Sequence, residues 1–236
     1  MGGSAAPSMG TDGTGARLMQ ALGHEITPLY PALVQLRCSH PALKGLKGIR
    51  TQAELTLMID DQAVLRETGE LLLTDYGVSG VCVFQLSREA APALAQGRSV
   101  RLAVNFLPEI PSLLPWLDAR IRQLAPASLL TLTTGALPRL LAQTVIREAR
   151  LSPDMPAEAL SESEKQALCG ALSAFPLVVT GTQGFANAQV TRGGVSLADV
   201  DPSTMASRLF DGLHIIGELL DVDGPCGGYN LHFAFA

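Results

Sequence analysis

The chain lacks the features by which several protein classes are recognised. Its four cysteines, Cys38, Cys82, Cys169 and Cys226, are widely scattered with no C-x-x-C pair, which argues against a paired-cysteine zinc site. With no secretory signal at the start, reduced thiols in a cytoplasmic setting are the expected state. Seventeen lysines and arginines face 22 acidic residues, a net charge of −5, so there is no overall nucleic-acid footprint. No run of about 18 apolar residues occurs, and no membrane span is expected. The G-K-[ST] of a phosphate-binding loop is missing, as is the G-x-G-x-x-G turn that seats a dinucleotide pyrophosphate. What remains is 236 residues, 47% hydrophobic, enough to bury a core as one large domain or two smaller ones.

The most informative stretch is GLHIIGELLDVDGPCGGYN, from Gly212 to Asn230. Its apolar start reads as a short buried strand, Leu213 to Ile216, followed by a glycine-rich turn and a helix opening at Tyr229. Gly217 lets the chain bend and leaves Glu218 at the carboxyl end of that strand, where open α/β sheets bind ligands. Gly227 and Gly228 have no Cβ, so a flat ligand can approach the backbone closely. The N–H groups of Tyr229, Asn230 and Leu231 start a helix without intrahelical acceptors and suit a negative charge.

In the first 24 residues, Gly10, Gly13 and Gly15 precede an amphipathic helix with Leu18, Met19 and Leu22 turned inward and Thr11 or Thr14 as cap. This pattern is compatible both with a plain capped turn and with an anion-binding loop. From about residue 41, Ala53, Leu55, Leu57 and Ile59 alternate with polar neighbours as in a half-buried strand. Asp60-Asp61 makes the turn and Val64-Leu65 begins the return. Further strand signals at 69–73 and 99–105 flank a helix that Tyr76–Gly80 opens and that runs to about Leu94. Antiparallel strands with one helix between them predict a small barrel. Beyond Pro108, helical stripes follow: one of Leu113, Leu114, Leu117, Ile121 and Leu124, and another from Leu137 to Ile146. A third helix starts at the capping box Ser161-x-x-Glu164, with Ala167, Leu168, Ala171, Leu172 and Phe175 on its inner face. Strands return at 177–182 and 188–195.

The closing phrase GLHIIGELLDVDGPCGGYNLHFAFA resembles the C-terminal signature of the YhiN/BaiN-like flavoproteins, a branch of the fumarate-reductase-like FAD enzymes. Other motifs agree with it. Gly2-Gly3, Gly10-Thr-Asp-Gly13-Thr-Gly15 and Gly23-His24 match the family's paired glycines, its Gly-x-x-Gly-x-Gly loop and its Gly-His. Pro31–Leu36, Thr74–Gly80, Ala188–Val195 and Asp201–Arg208 match in order, with Val81 where the family often has proline. The resemblance implies FAD as cofactor, held by Gly2, Gly3, Gly13, Gly15, Gly193, Gly194, Gly217, Glu218, Gly227, Gly228, Tyr229 and Asn230. Within that set, Glu218 would take the ribityl hydroxyls and Gly193-Gly194 would pass beside the isoalloxazine. The amides at Tyr229–Leu231 would face the N1–C2=O edge of the reduced ring. The implied fold is α+β or α/β: a Rossmann-like FAD-binding domain in two pieces, 1–40 and 188–236. It is interrupted by an insert at 41–187, with a β-barrel at 41–108 and a helical bundle at 109–176. The dinucleotide-binding turn that such a domain needs would lie upstream, so the chain reads as a fragment of a longer flavoprotein.

Other constellations carry less. An Asp221-x-Asp223-Gly calcium loop fails, because Pro225 and His232 would fall at positions that need oxygen ligands; the two aspartates read as turn formers. His24, His40, His214 and His232 lack ligand spacing. Cys226 is a weak catalytic candidate for protonating a substrate carbon, against the plainer reading of a small side chain in a tight turn. Arg192 is a candidate for substrate contact. Arg37, His40, Lys44, Lys47 and Arg50 form a basic cluster that reads either as a solvated face or as an RNA contact. The expected function is FAD-dependent hydride transfer to or from an activated C=C or a small amine, with NADH or NADPH as reductant. The expected partner is a small-molecule substrate or ribosomal RNA. The alternative is a non-catalytic module that binds RNA or a protein.

Overall fold

Apolar residues at every second position from Ala53 to Ile59 favour the longest ladder of the fold, since a pleated strand sends successive side chains to opposite faces. The computed structural model describes residues 2–236. In chain order its elements are α1 (Thr14–Ala21), β1 (Tyr30–Ala32), β2 (Leu36–Ser39), β3 (Arg50–Ile59), β4 (Gln62–Leu73) and β5 (Gly77–Ser79). There follow α2 (Val81–Ala95), β6 (Val100–Asn105), α3 (Leu113–Leu124), α4 (Leu129–Leu132) and α5 (Arg139–Glu148). Last come α6 (Glu162–Ser173), β7 (Phe175–Thr182), β8 (Val190–Arg192) and α7 (Tyr229–Phe235). They group into two compact units. One comprises the residues up to Gln35 with Phe84–Gln96 and Gly181–Ala236; the other comprises Leu36–Val83 with Gly97–Thr180.

The second unit is a closed barrel in the order β2-β5-β4-β3-β6-β7, accompanied by α3 to α6. Closure leaves no strand edge open to stray pairing. Ala53, Leu55, Leu57 and Ile59 are all buried, as the alternation predicts, and so are Leu71, Leu73, Leu102 and Phe175 on the other strands of the barrel. The Asp60-Asp61 turn is left-handed at both residues, with φ of 49° and 65°, the geometry that matches the twist of a two-residue hairpin. Asp60 accepts from Arg98 Nε at 2.7 Å and from the Ser99 N–H at 3.0 Å, and the guanidinium hydrogen bond holds its carboxyl below the usual range. Helix α6 opens with both bonds of the Ser161/Glu164 capping box formed. Its inner face is Leu168 and Leu172, whereas Ala167 is exposed. In α3 Leu117 is buried and Leu124 stays on the surface. The mixed α/β architecture of barrel plus helices is thus the one predicted.

In the first unit the sheet is a single antiparallel pair, β1 with β8, in the register Tyr30–Arg192, Pro31–Thr191 and Ala32–Val190. Its core gathers Met19, Val195, Val200, Ile215, Leu219 and Leu220. Two local expectations are corrected. Met19 is the inward residue of α1 and Leu18 faces out; neither Thr11 nor Thr14 caps the helix, because left-handed Gly13 occupies the cap and the Asp12 carboxylate accepts the Thr14 N–H. The strand expected at Leu213–Ile216 does not form. That segment finds one bridging neighbour, Ala206 opposite His214, and turns into a 3-10 turn at Gly217–Leu219. A strand needs a partner along its length, and only Ile215 finds a place in the core.

Leu55→Ala should destabilise the barrel by about 2–5 kcal/mol, the range for a fully buried leucine, measured by urea unfolding. A second expectation concerns Cys38 in β2, whose thiol is pushed up to about 12 by burial. At pH 8 in the folded protein it should resist iodoacetamide, and it should alkylate once the chain is unfolded; mass spectrometry of the labelled peptides would show both.

Candidate functional site

Thr191, in the middle of β8, is almost wholly buried, and both its hydroxyl and its N–H are hydrogen-bonded. Its hydroxyl accepts the N–H groups of Ser4 at 2.7 Å and Ala5 at 2.9 Å, and its own N–H donates to Glu218 Oε1 at 2.6 Å. The paired glycines at the start, the returning strand and the carboxylate of the closing phrase therefore converge on one point. Gly3 sits in the gap between them: a Cβ there would lie 2.5 Å from both Glu218 Oε1 and Thr191 Oγ1. The Thr11 hydroxyl donates to the Gly3 carbonyl and steadies the loop from its other side.

Beside this junction lies a cleft of about 200 Å³. Glu218, Cys226, Gly227, Gly228 and Asn230 line one part of it, and Leu33, Val190 and Phe233 supply apolar wall. Gly228 is left-handed, at φ 92°, and caps α7; the position a Cβ would take is open space. A side chain there would intrude where the backbone now leaves room. The Asn230 side chain has a structural task. Its Oδ1 accepts the Gly224 N–H at 2.7 Å and its Nδ2 donates to the Gly224 carbonyl at 2.9 Å, which clamps the turn that precedes the paired glycines.

The remaining residues named from the sequence are dispersed. Gly193 and Gly194 pack on protein main chain: a Cβ would strike the Pro28 carbonyl at the first and the Leu219 carbonyl, 2.6 Å away, at the second. Gly13 and Gly15 belong to the start of α1, a Cβ at Gly2 would meet nothing within 4 Å, and Gly217 makes its bend at φ 66° beside Ala234. The Tyr229 side chain is exposed. Cys226 lines the cleft with its Sγ 3.9 Å from Gln189 Oε1.

Several contributors were invisible in the sequence. Thr191 looks like any strand threonine until its long-range partners are known. One side of α2 supplies three more: Gln85 accepts the Cys226 N–H, Arg88 binds Asp223, and Glu89 binds Arg192. Burial disfavours the Arg192 charge, but the Glu89 hydrogen bond and the nearby Asp223 and Asp221 outweigh it and hold its pKa above the ordinary value. His24 is packed, with Nδ1 near the Met19 carbonyl and Nε2 2.8 Å from Ser207 Oγ. In the basic cluster Lys47 pairs with Asp75, Arg50 with Glu70, and His40 lies 3.4 Å from Glu148. No group of three or more potential metal ligands occurs among the described residues, and none of their helices is long and apolar enough to cross a membrane.

A barrel with attached helices, and beside it in sequence a glycine-turn cleft with one carboxylate, define the class. The chain belongs to the HI0933-like family: the model of the "HI0933-like protein barrel and H2TH domain" matches residues 30–190. Along its whole length it is 38% identical to a 3-dehydro-bile acid delta(4,6)-reductase of Clostridium scindens. It is 30% identical to a ribosomal RNA dihydrouridine synthase of Escherichia coli and 27% identical to one of Haemophilus influenzae, again over its full length. The chain spans 58% of the first relative and 56% of each of the other two.

Thr191→Val keeps the shape but removes the acceptor, leaving the Ser4 and Ala5 amides unpaired. It should cost about 1–3 kcal/mol, whereas Thr191→Ser should retain most of the stability; chemical denaturation of the two variants compares them.

Proposed function

We propose that this chain forms the isoalloxazine-side part of an FAD-dependent reductase that reduces a C=C bond conjugated to a carbonyl. The observation that carries the reading is the cleft at Glu218 and Gly227–Gly228, built by the phrase that resembles the flavoprotein signature and opening where Gly228 withholds a side chain. At about 200 Å³ it is smaller than the roughly 300–1,000 Å³ of pockets that enclose a whole ligand. It therefore suits the ring and its nearest substituents, and the ADP side would fall to sequence beyond this chain, in keeping with the greater length of the relatives. The relatives' names support the chemistry: a delta(4,6)-reductase and a dihydrouridine synthase both describe saturation of a double bond.

When bound, FAD supplies the hydride, with NADH or NADPH as its reductant, and the protein supplies binding and orientation. In this reading the Glu218 carboxylate, fixed by the Thr191 N–H, accepts from the cofactor's hydroxyls. Leu33, Val190 and Phe233 shield the ring from water. The main chain at Gly228, where no Cβ intervenes, would let the ring approach, and the Cys226 thiol lines the same cleft. The substrate is a small enone or a uridine in ribosomal RNA. Within the basic cluster, Lys47 and Arg50 are already paired with Asp75 and Glu70, which favours the flavin reading over a separate RNA-binding module.

Gly228→Asn in the full-length protein tests the reading, because asparagine tolerates the left-handed conformation while placing a side chain in the cleft. The variant should keep its melting temperature and lose the yellow flavin on purification. A fully flavinylated variant would contradict the proposal.

A further inference from the structure

The turn from Asp223 to Cys226 reaches the cleft at Cys226, joins the lining residues Val222 and Gly227, and contains no regular secondary structure. Its shape is set by side chains from outside. Gln85, Arg88 and Glu89 lie three and four residues apart on α2, and so share one face of the helix. Gln85 Oε1 accepts the Cys226 N–H at 3.0 Å. Arg88 grips Asp223 twice, Nε to the carboxylate Oδ2 at 2.6 Å and Nη2 to the main-chain carbonyl at 3.1 Å. Glu89 accepts from Arg192 at 2.8 Å, and the same Arg192 nitrogen donates to the Arg88 carbonyl. On the far side of the turn, Asn230 clamps Gly224.

The Arg88–Asp223 pair differs from the surface ion pairs of this chain. Its side chains are only 26% and 11% exposed, against 68% and 48% for Lys47–Asp75. A charged pair withdrawn from water is held firmly while intact, and loss of one partner strands the other. Without the guanidinium, Asp223 would have to swing out to be solvated and would carry the turn with it. The second bond, to the Asp223 carbonyl, fixes the main chain itself, so an interaction with the side chain alone would not reproduce the grip.

We propose that Arg88 is a positioning residue. Through Asp223, and with Gln85 at Cys226, it locks the 223–226 turn so that the cleft wall leading to Gly227–Gly228 is preformed for the flavin ring. This inference rests on the flavin reading above.

Cys226 is a reporter inside the turn. In the full-length protein, Arg88→Met should raise the rate of Cys226 alkylation by iodoacetamide about tenfold. It should also weaken FAD binding, followed by flavin fluorescence, by about tenfold to a hundredfold. Arg88→Lys, which keeps the charge but loses the fork, should recover part of both effects. Unchanged Cys226 reactivity in Arg88→Met would overturn the lock. Faster alkylation with wild-type FAD affinity would overturn the positioning role while leaving the flavin reading intact. Absence of flavin binding by the unsubstituted protein would overturn the flavin reading, and this inference with it.

Discussion

The hydrogen bonds at Thr191 join three segments of the first unit that are far apart in sequence. A hydroxyl accepts two amides from the start of the chain, and the amide of the same residue donates to a carboxylate 27 positions further on. Buried polar groups are worth little when exchanged evenly with water and cost much when left unpaired. That asymmetry gives the junction its specificity. Shifting any one of the three segments by a residue would orphan donors at a position with almost no access to solvent. Gly3 is required by the same crowding, because the space beside it is already filled by the two oxygens.

The cleft follows from that junction. Glu218 can serve as a cleft acceptor because its Oε1 is already oriented by the Thr191 amide. The opposite wall is a turn with no ladder of its own, held by Asn230 on one side and by α2 on the other. The arrangement separates rigid support from the open position at Gly228. The barrel unit is built on a different principle. Its stability comes from apolar alternation and closure, with buried leucines and Phe175 at the centre and no comparable polar junction.

Much of this was legible in the residues. The alternation around Leu55, the Asp60-Asp61 turn, the α2 segment after Tyr76–Gly80 and the Ser161 capping box all read correctly, because each depends on neighbours within a few positions. Reading failed where distant contacts decided. The apolar run Leu213–Ile216 looks like a strand, but its pairing is limited to the short Met205–Ser207 stretch, and His214 and Ile216 face solvent. A further demand on Gly193 and Gly194 was also unreadable: the places their Cβ atoms would take are filled by the Pro28 and Leu219–Leu220 main chain. The α2 segment reads only as a helix; its Gln85 and Arg88 turn out to grip the closing segment, and its Glu89 holds Arg192.

The sequence by itself determined the barrel, its helices and the family, because period, turn chemistry and motif wording are local properties of the chain. Only the tertiary structure decided which of the many glycines border a cleft and which merely pack, and that Thr191 and Arg88 matter at all. Hydrogen bonds spanning more than a hundred residues leave no periodic trace in sequence; they exist only when folding brings a donor and an acceptor together away from water.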